Sequence, residues 1–208
     1  IDLASAQGWP YMLIDWQWYG PYNEAKADIT RPAPHIDMPE ILRYAEEKGV
    51  RIWLWLYSSD VNRNDAYKEA FRLYQKWGVA GIKIDFMDRA DQDVVDFHTR
   101  AAETAAKYHM LVDFHGTYKP TGLHRTYPNV VNYEGVFGLE NMKWSKETVD
   151  QVTYDVTVPY IRMMAGPMDY TQGAMRNAAR GNYRPVNSEA MSQGTRCRQL
   201  AEYVIFDS

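Results

Sequence analysis

The sequence is poor in the residues that define several classes of protein. It holds one cysteine, Cys197, in 208 residues, so an internal disulfide and a cysteine-based zinc site are both excluded. No apolar stretch approaches the roughly 20 residues that a membrane-spanning helix needs. The net charge of −4 provides no basic stripe for nucleic acid. We therefore expect a globular protein that neither spans a membrane nor binds nucleic acid, with Cys197 packed in the core of an opening helix.

Two kinds of motif are also missing. No glycine-rich phosphate loop follows any predicted strand, which makes a doubly wound open sheet the second choice of fold. A zinc hydrolase built on Asp113, His115 and Glu134 fails on ligand count, because the sequence has no His-x-His or His-Glu-x-x-His pattern.

Strand-like apolar runs alternate with amphipathic helical patterns through most of the sequence. Strands are predicted at residues 11–15, 51–57, 81–85, 110–114, 130–133, 156–162 and 203–206. Helices are predicted at residues 38–48, 66–77 and 92–108, and residues 166–187 are predicted to form a long loop. Repeated strand-then-helix units imply a parallel sheet. The pattern therefore predicts an α/β fold, a (β/α)8 TIM barrel that lacks its first strand in this chain.

The third predicted strand ends on a carboxylate. It reads GIKID at residues 81–85, so Lys83 and Asp85 lie two residues apart and face the same side of the sheet. In α/β barrels the active site lies at the carboxyl ends of the strands. Asp85 is therefore the strongest catalytic candidate, and Lys83 is expected to keep it ionised or to bind a substrate hydroxyl.

Other polar and aromatic residues are predicted at the same rim. The candidates at the remaining strand ends are Asp15, Trp18, Trp55, Asp113, His115, Glu134, Glu140 and Asp169. Asp15 has a structural alternative as a helix cap or a partner of a loop amide. Carboxylates and aromatic rings that converge on one rim suggest a ligand with hydroxyl groups and apolar faces, and a sugar fits this description most simply.

Glycoside hydrolysis requires two carboxyl groups on either side of the bond that breaks. One attacks the anomeric carbon or activates water, and the other protonates the departing oxygen. The pattern alone pairs Asp85 with either Glu134 or Glu140 and does not choose between the two glutamates.

Three long stretches of the sequence resemble the catalytic barrel of glycoside hydrolase family 97. They are GIKIDFMDRADQ (81–92), LVDFHGTYKPTGLHRTYPNVVNYEGVFGLE (111–140) and RMMAGPMDYTQGAM (162–175). The inverting branch of this family has a glutamate base where this sequence has Gly116. The carboxylate at Asp85 instead matches the retaining branch, which includes α-galactosidases.

The resemblance implies a role for each candidate. Asp85 would be the nucleophile and Glu140 the acid/base. Glu134 and Glu140 would be ligands of the calcium ion that the family binds. The residues expected to bind substrate are Asp15, Trp18, Trp55, Lys83, Asp113, His115 and Asp169. The family commonly reads Asp-x-Gly-Trp where this sequence has DWQW at residues 15–18, which leaves the choice of sugar open.

The expected function is a retaining exo-acting α-glycosidase, with an oligosaccharide or α-galactoside as substrate. The alternatives are a retaining α-glucosidase or arabinopyranosidase of the same family, or a sugar-binding fragment without catalysis. By resemblance, the protein is periplasmic or exported. The sequence begins without methionine or a signal peptide, so we expect residues 1–208 to be a barrel fragment. Its partners would then be the remaining domains of the parent chain, an N-terminal β-sandwich and a C-terminal β-domain.

Overall fold

The computed structural model describes residues 1–207, which form two compact units. The first unit contains Ile1–Thr117 and Gly122–Val131, and the second contains Tyr118–Thr121 and the described residues from Asn132 onward. Among the described helices, none is both long enough and apolar enough to cross a membrane.

The first unit is an α/β layer built on a parallel sheet. Its strands are β1 (Tyr11–Ile14), β2 (Arg51–Tyr57), β3 (Gly81–Asp85), β4 (Leu111–Phe114) and β5 (Val130–Tyr133), which follow one another across the sheet in chain order. The helices are α1 (Asp2–Gln7), α2 (Met38–Glu47), α3 (Ser58–Asn62), α4 (Tyr67–Trp77), α5 (Gln92–Lys107) and α6 (Leu123–Thr126). A short 3-10 helix, Arg63–Asp65, precedes α4. The boundary between the two units falls within β5.

The sequence explains why these elements form where they do. All five residues of β3 are buried, as expected of an apolar run in a parallel sheet that is covered on both faces. The side chain of Asp91 accepts the N–H of Val94 and thereby caps α5, and Asp37 caps α2 through the N–H of Glu40. Beneath the helices, the core contains the fully buried side chains of Leu54, Leu56, Phe71, Tyr74, Ile82, Ile84, Ala101, Val112 and Phe114.

The second unit is built from short helices and loops. It contains α7 (Gln151–Thr157), α8 (Arg196–Ile205) and a two-stranded parallel ribbon of β6 (Asn177–Ala178) and β7 (Ser192–Gln193). Its 3-10 helices are Leu139–Lys143, Val158–Tyr160, Met163–Ala165 and Arg180–Asn182. Its core is the cluster of Leu139, Met142, Val158, Met168, Tyr170, Tyr183 and Phe206.

The first five predicted strands and the three predicted helices are confirmed to within one residue at each end. The prediction of strands at 156–162 and 203–206 is wrong, because both segments are helical. In α8 the buried residues Gln199 and Glu202, followed by Phe206, recur at helical spacing, and the Thr195 side chain caps the helix through the N–H of Arg198. A complete barrel is therefore not formed by the described residues, whose large sheet has five strands.

Of two further expectations, one is wrong and one is confirmed. Cys197 is exposed, because it lies on the outer face of α8, so its predicted place in the core is wrong. Most of the predicted loop at 166–187 is irregular, as expected, apart from β6 and one turn of 3-10 helix.

Candidate active site

Asp85 lies at the carboxyl end of β3, where three groups donate hydrogen bonds to its carboxylate. The indole Nε1–H of Trp55 donates to Oδ2 over 2.9 Å. The main-chain N–H of Phe86 donates to Oδ1 over 2.6 Å, and Nδ1 of His115 lies 3.1 Å from the same oxygen. Because an ionised carboxylate can only accept, His115 must carry its proton on Nδ1 in this arrangement.

The surroundings of Asp85 favour its charged form. Burial raises the pKa of this carboxyl, but the hydrogen bonds and charge of His115, with the bonds from Trp55 and the Phe86 N–H, outweigh burial. The pKa of Asp85 therefore lies below its ordinary value. A largely desolvated carboxylate that remains ionised is suited to attack a carbon atom.

The register of the sheet explains how the neighbouring candidates come together. Trp55, Lys83 and Asp113 are partners across β2, β3 and β4, so the three side chains emerge in one row on the same face. Lys83 and Asp113 are both buried. Asp85 follows Lys83 by two residues and lies on that face as well. The structure thus brings together Trp55, Lys83, Asp85, Asp113 and His115 as the sequence predicted.

Aromatic rings line the approach to Asp85. The ring of Trp16 lies 5.3 Å from that of Trp55 and 5.8 Å from that of Phe86, and Tyr22 lies 4.9 Å from Trp16. Trp16 and Phe86 have φ values of 46° and 59°, a left-handed conformation that is rare for bulky residues. Strain of this kind is concentrated at functional sites. Only one feature of the sequence indicates these rings, namely that Trp16 and Phe86 each directly follow a strand-end aspartate.

Gly116 lies close to Asp85. It has a φ of 55°, and a Cβ atom at this position would lie 2.7 Å from the Phe86 nitrogen and 3.0 Å from Oδ1 of Asp85. A glutamate at this position would therefore collide with the end of β3. The glycine at 116 thus leaves free the space that the Asp85 carboxylate needs.

Asp15 and Trp18, which follow β1, differ in how exposed their side chains are. Asp15 is exposed, and its Oδ1 accepts the N–H of Trp16, which matches the alternative of a loop-amide partner. Asp15 and Trp16 line a cavity of about 800 Å³ in the first unit. Trp18 is 1% exposed, and its Nε1–H donates to the main-chain oxygen of Trp55. The ring is therefore almost entirely buried, although Trp18 is also among the residues around this cavity, and its role in binding substrate stays a prediction.

Glu134, Glu140 and Asp169 lie in the second unit, where their main chain is linked by hydrogen bonds. All three are half-buried. The N–H of Asp169 donates to the oxygen of Tyr133 over 2.8 Å, and the N–H of Leu139, the residue before Glu140, donates to the oxygen of Tyr170 over 2.8 Å. The segments 133–140 and 166–170 are therefore adjacent.

The donor set for calcium is incomplete in this chain. Calcium takes six to eight oxygen ligands, usually with several carboxylates. Within residues 1–207, no group of three or more His, Cys, Asp or Glu side chains is close enough to hold a metal ion. Glu134 and Glu140 therefore do not form a metal site by themselves.

An ionised, buried carboxylate beside aromatic rings, at the carboxyl edge of a parallel sheet, is typical of enzymes that act on sugars. The family model of glycoside hydrolase 97 matches residues 1–136. A retaining alpha-galactosidase from Bacteroides thetaiotaomicron is 54% identical over 208 residues, which are 100% of this chain and 31% of that protein. The chain belongs to glycoside hydrolase family 97, as its sequence motifs predicted.

Two solved structures are also similar to this chain. A beta-arabinopyranosidase has a TM-score of 0.79 at 27% identity, with 99% of this chain and 32% of that chain covered. A glycoside hydrolase family 97 enzyme from Pseudoalteromonas sp. strain K8, in complex with acarbose, has a TM-score of 0.76 at 25% identity, with 99% and 34% covered. The chain therefore spans about a third of the length of the relatives it matches.

Proposed function

We propose that this chain is the catalytic part of a retaining exo-acting α-glycosidase that hydrolyses terminal α-galactosides. The observation that carries the proposal is the carboxylate of Asp85, which is buried at a strand end yet held ionised by Trp55, His115 and the Phe86 N–H. The absence of a side chain at Gly116, where an inverting enzyme would have its base, agrees with a nucleophile at Asp85.

The reaction proceeds by two displacements at one carbon atom. An oxygen of Asp85 forms a bond to the anomeric carbon while the bond to the leaving oxygen breaks, and Glu140 gives that oxygen a proton. Water then gives a proton to Glu140 and attacks the same carbon, which releases Asp85. Two inversions leave the configuration of the sugar unchanged.

The choice of substrate rests on the relatives. The name of the 54% identical relative from Bacteroides thetaiotaomicron supports α-galactosides. The likeness to a beta-arabinopyranosidase supports the arabinopyranoside alternative, since the two sugars share the arrangement of their ring hydroxyls. An α-glucosidase remains the third possibility within the family. A sugar-binding fragment without catalysis is the alternative from another class, and the retention of both Asp85 and Glu140 argues against it.

The proposal extends to the complete barrel, the calcium site and the location of the protein. The parallel strands β1 to β5 belong to a (β/α)8 barrel completed by other parts of the full-length protein. Glu134 and Glu140 contribute to a calcium site whose remaining ligands come from outside this chain, and the protein is periplasmic or exported. The rest of the full-length protein is then the partner of this chain.

The test is made on the full-length protein that carries this chain. Turnover of an aryl α-galactoside is compared with that of an aryl α-glucoside and an aryl β-L-arabinopyranoside, and NMR follows the anomer of the first product. α-Galactose formed first supports the proposal. β-Galactose formed first would mean inversion and would remove Asp85 as the nucleophile, and no turnover of any of the three would favour the binding module.

A further inference from the structure

Arg162 is a buried arginine in the second unit whose partners are neutral. It is 7% exposed, and its guanidinium contacts five main-chain carbonyl oxygens. The distances are 2.9 Å from Nε to Gly135, 3.0 Å from Nη1 to Gly166, and 3.2, 2.9 and 3.0 Å from Nη2 to Tyr133, Glu134 and Pro167. A buried cation is costly unless its donors are satisfied, and here the planar fork of the guanidinium is matched by carbonyl oxygens.

These carbonyls come from the two segments that carry the predicted site residues of the second unit. Residues 133–135 contain Glu134 and lead into Glu140, and residues 166–167 lead into Asp169. Two main-chain hydrogen bonds, Asp169 to Tyr133 and Leu139 to Tyr170, complete the connection between the segments. The Arg162 side chain therefore bonds to both backbone segments that carry the predicted carboxylates of this unit. These carboxylates are Glu134, Glu140 and Asp169.

The other side of the 133–135 segment is also fixed. Gly135 has a φ of 41°, and a Cβ atom there would lie 2.4 Å from the nitrogen of Lys119. The backbone at Gly135 is thus held between Lys119 and Arg162. Close packing against Lys119 and the hydrogen bond from Arg162 together restrain the backbone from which the following residues begin.

We propose that Arg162 is a positioning residue for the glycosidase reaction, and that it places Glu140 for proton transfer by holding the backbone on both sides of Glu134. This inference rests on the proposed function. It differs from a purely structural role in one respect, because in the first displacement a misplaced Glu140 affects only those substrates whose leaving group needs a proton.

The dependence on leaving group provides the measurement. A dinitrophenolate leaves without protonation, whereas the alcohol of an alkyl galactoside leaves only with a proton from the acid. A loss of folded enzyme lowers the rates for both substrates by the same factor. A displaced Glu140 lowers kcat/KM for the alkyl galactoside alone, because kcat/KM reports on the first displacement, in which only the alkyl leaving group needs the proton. The ratio of the two kcat/KM values therefore reports on Glu140.

The experiment compares R162K with R180K in the full-length protein. Lysine keeps the charge but lacks the planar fork. Arg180 is the matched control, because it is an exposed arginine of the same unit that bonds to Asp150 and Thr148. Covalent trapping of Asp85 by an activated 2-fluoro glycoside counts the folded active sites. General acid catalysis typically contributes 10²–10⁴-fold, so we expect the alkyl-to-aryl ratio of R162K to fall by about 10- to 100-fold. The ratio of R180K should remain that of the wild type.

An unchanged ratio in R162K, whatever its total activity, would overturn the inference. If R162K traps no inhibitor, R162A is measured with added guanidinium ion. If guanidinium ion restores both the trapping of Asp85 and the alkyl-to-aryl ratio, the positioning role is supported. If it restores neither, Arg162 acts in folding alone. Failure of the wild type and of R180K on every galactoside would instead refute the proposed function, so the two failures are distinguishable.

Discussion

Gly116 and Asp85 share a space that holds only one side chain. A Cβ atom on Gly116 would lie 3.0 Å from Oδ1 of Asp85 and 2.7 Å from the nitrogen of Phe86, which itself donates to that oxygen. The carboxylate therefore occupies the position it has because residue 116 has no side chain. Any side chain introduced at position 116 would therefore displace Asp85, the proposed nucleophile.

We expect G116A to lower kcat/KM for an aryl α-galactoside by about 100-fold, the scale of a misplacement of about 1 Å. The control is G49A, since Gly49 also has a positive φ, of 70°, but has no atom within 4 Å of its Cβ position. Both variants carry backbone strain, and only G116A disturbs Asp85. Equal losses in the two variants would show that strain, and not the contact with Asp85, is responsible.

The bond from Trp55 to Asp85 should be visible in the pH dependence of the reaction. A hydrogen bond to a charged group stabilises it by about 1.5–3 kcal/mol, and one pKa unit corresponds to about 1.4 kcal/mol. W55F removes a donor that lowers the pKa of Asp85, so that pKa rises and the carboxylate is protonated at a higher pH. We expect the acid limb of the kcat/KM profile to move to a higher pH than in the wild type.

The matched control for this measurement is W53F on the same strand. The Trp53 ring packs against Tyr11 and Gly81 and makes no bond to Asp85. The acid limb of the W53F profile should therefore stay at the pH of the wild type. If W55F also leaves the limb unmoved, the limb does not report on Asp85.

Glu202 should make the stability of the second unit depend on pH. Burial raises the pKa of Glu202 to about 7, and it outweighs the lowering effects of the Arg198 charge, 2.9 Å away, and of the hydrogen bond with Gln199. The folded state therefore holds a proton that the unfolded state releases near pH 4.5. The resulting stability is complete below about pH 4.5 and is lost as the pH rises through about 7.

E202Q should remove this dependence. We expect its unfolding temperature to exceed that of the wild type at pH 8 and to match it more closely at pH 5, as followed by thermal unfolding of the full-length protein. E189Q is the control, since Glu189 is an exposed carboxylate of the same unit that pairs with Arg176. An equal rise in the unfolding temperature of E202Q at pH 5 and at pH 8 would mean that Glu202 is ionised in the folded protein at both pH values.

Removal of calcium tests the proposed roles of Glu134 and Glu140. We expect a chelator to abolish turnover in the full-length protein and added calcium to restore it, with E134Q needing more calcium than the wild type for half of its activity. The exposed carboxylate of Glu147 in the same unit supplies the control variant E147Q, which should need no more calcium than the wild type. Turnover that persists in the chelator would remove calcium from the proposal.

The sequence by itself determined the first half of the fold and the residues of the first unit's site. Strands such as 81–85 are continuous apolar runs, and a buried parallel strand requires such a run at that length. Lys83 and Asp85 could be placed on one face because side chains alternate along a strand. The cap of α5 is also a local feature, since the side chain of Asp91 accepts an N–H only three residues along the chain. The long motifs also identified the family.

Only the tertiary structure decided the rest. Tyr203, Val204 and Ile205 are apolar in succession and indicated a strand, but the buried residues of α8 are polar, so the helical face was hidden from the pattern. Trp18 was predicted at the site and lies in the core, where its indole N–H donates to the main-chain oxygen of Trp55 on β2. The contacts of Arg162 and the closeness of Gly116 to Asp85 join residues about 30 positions apart. Local patterns describe a residue and its neighbours along the chain, whereas these contacts depend on how distant segments pack.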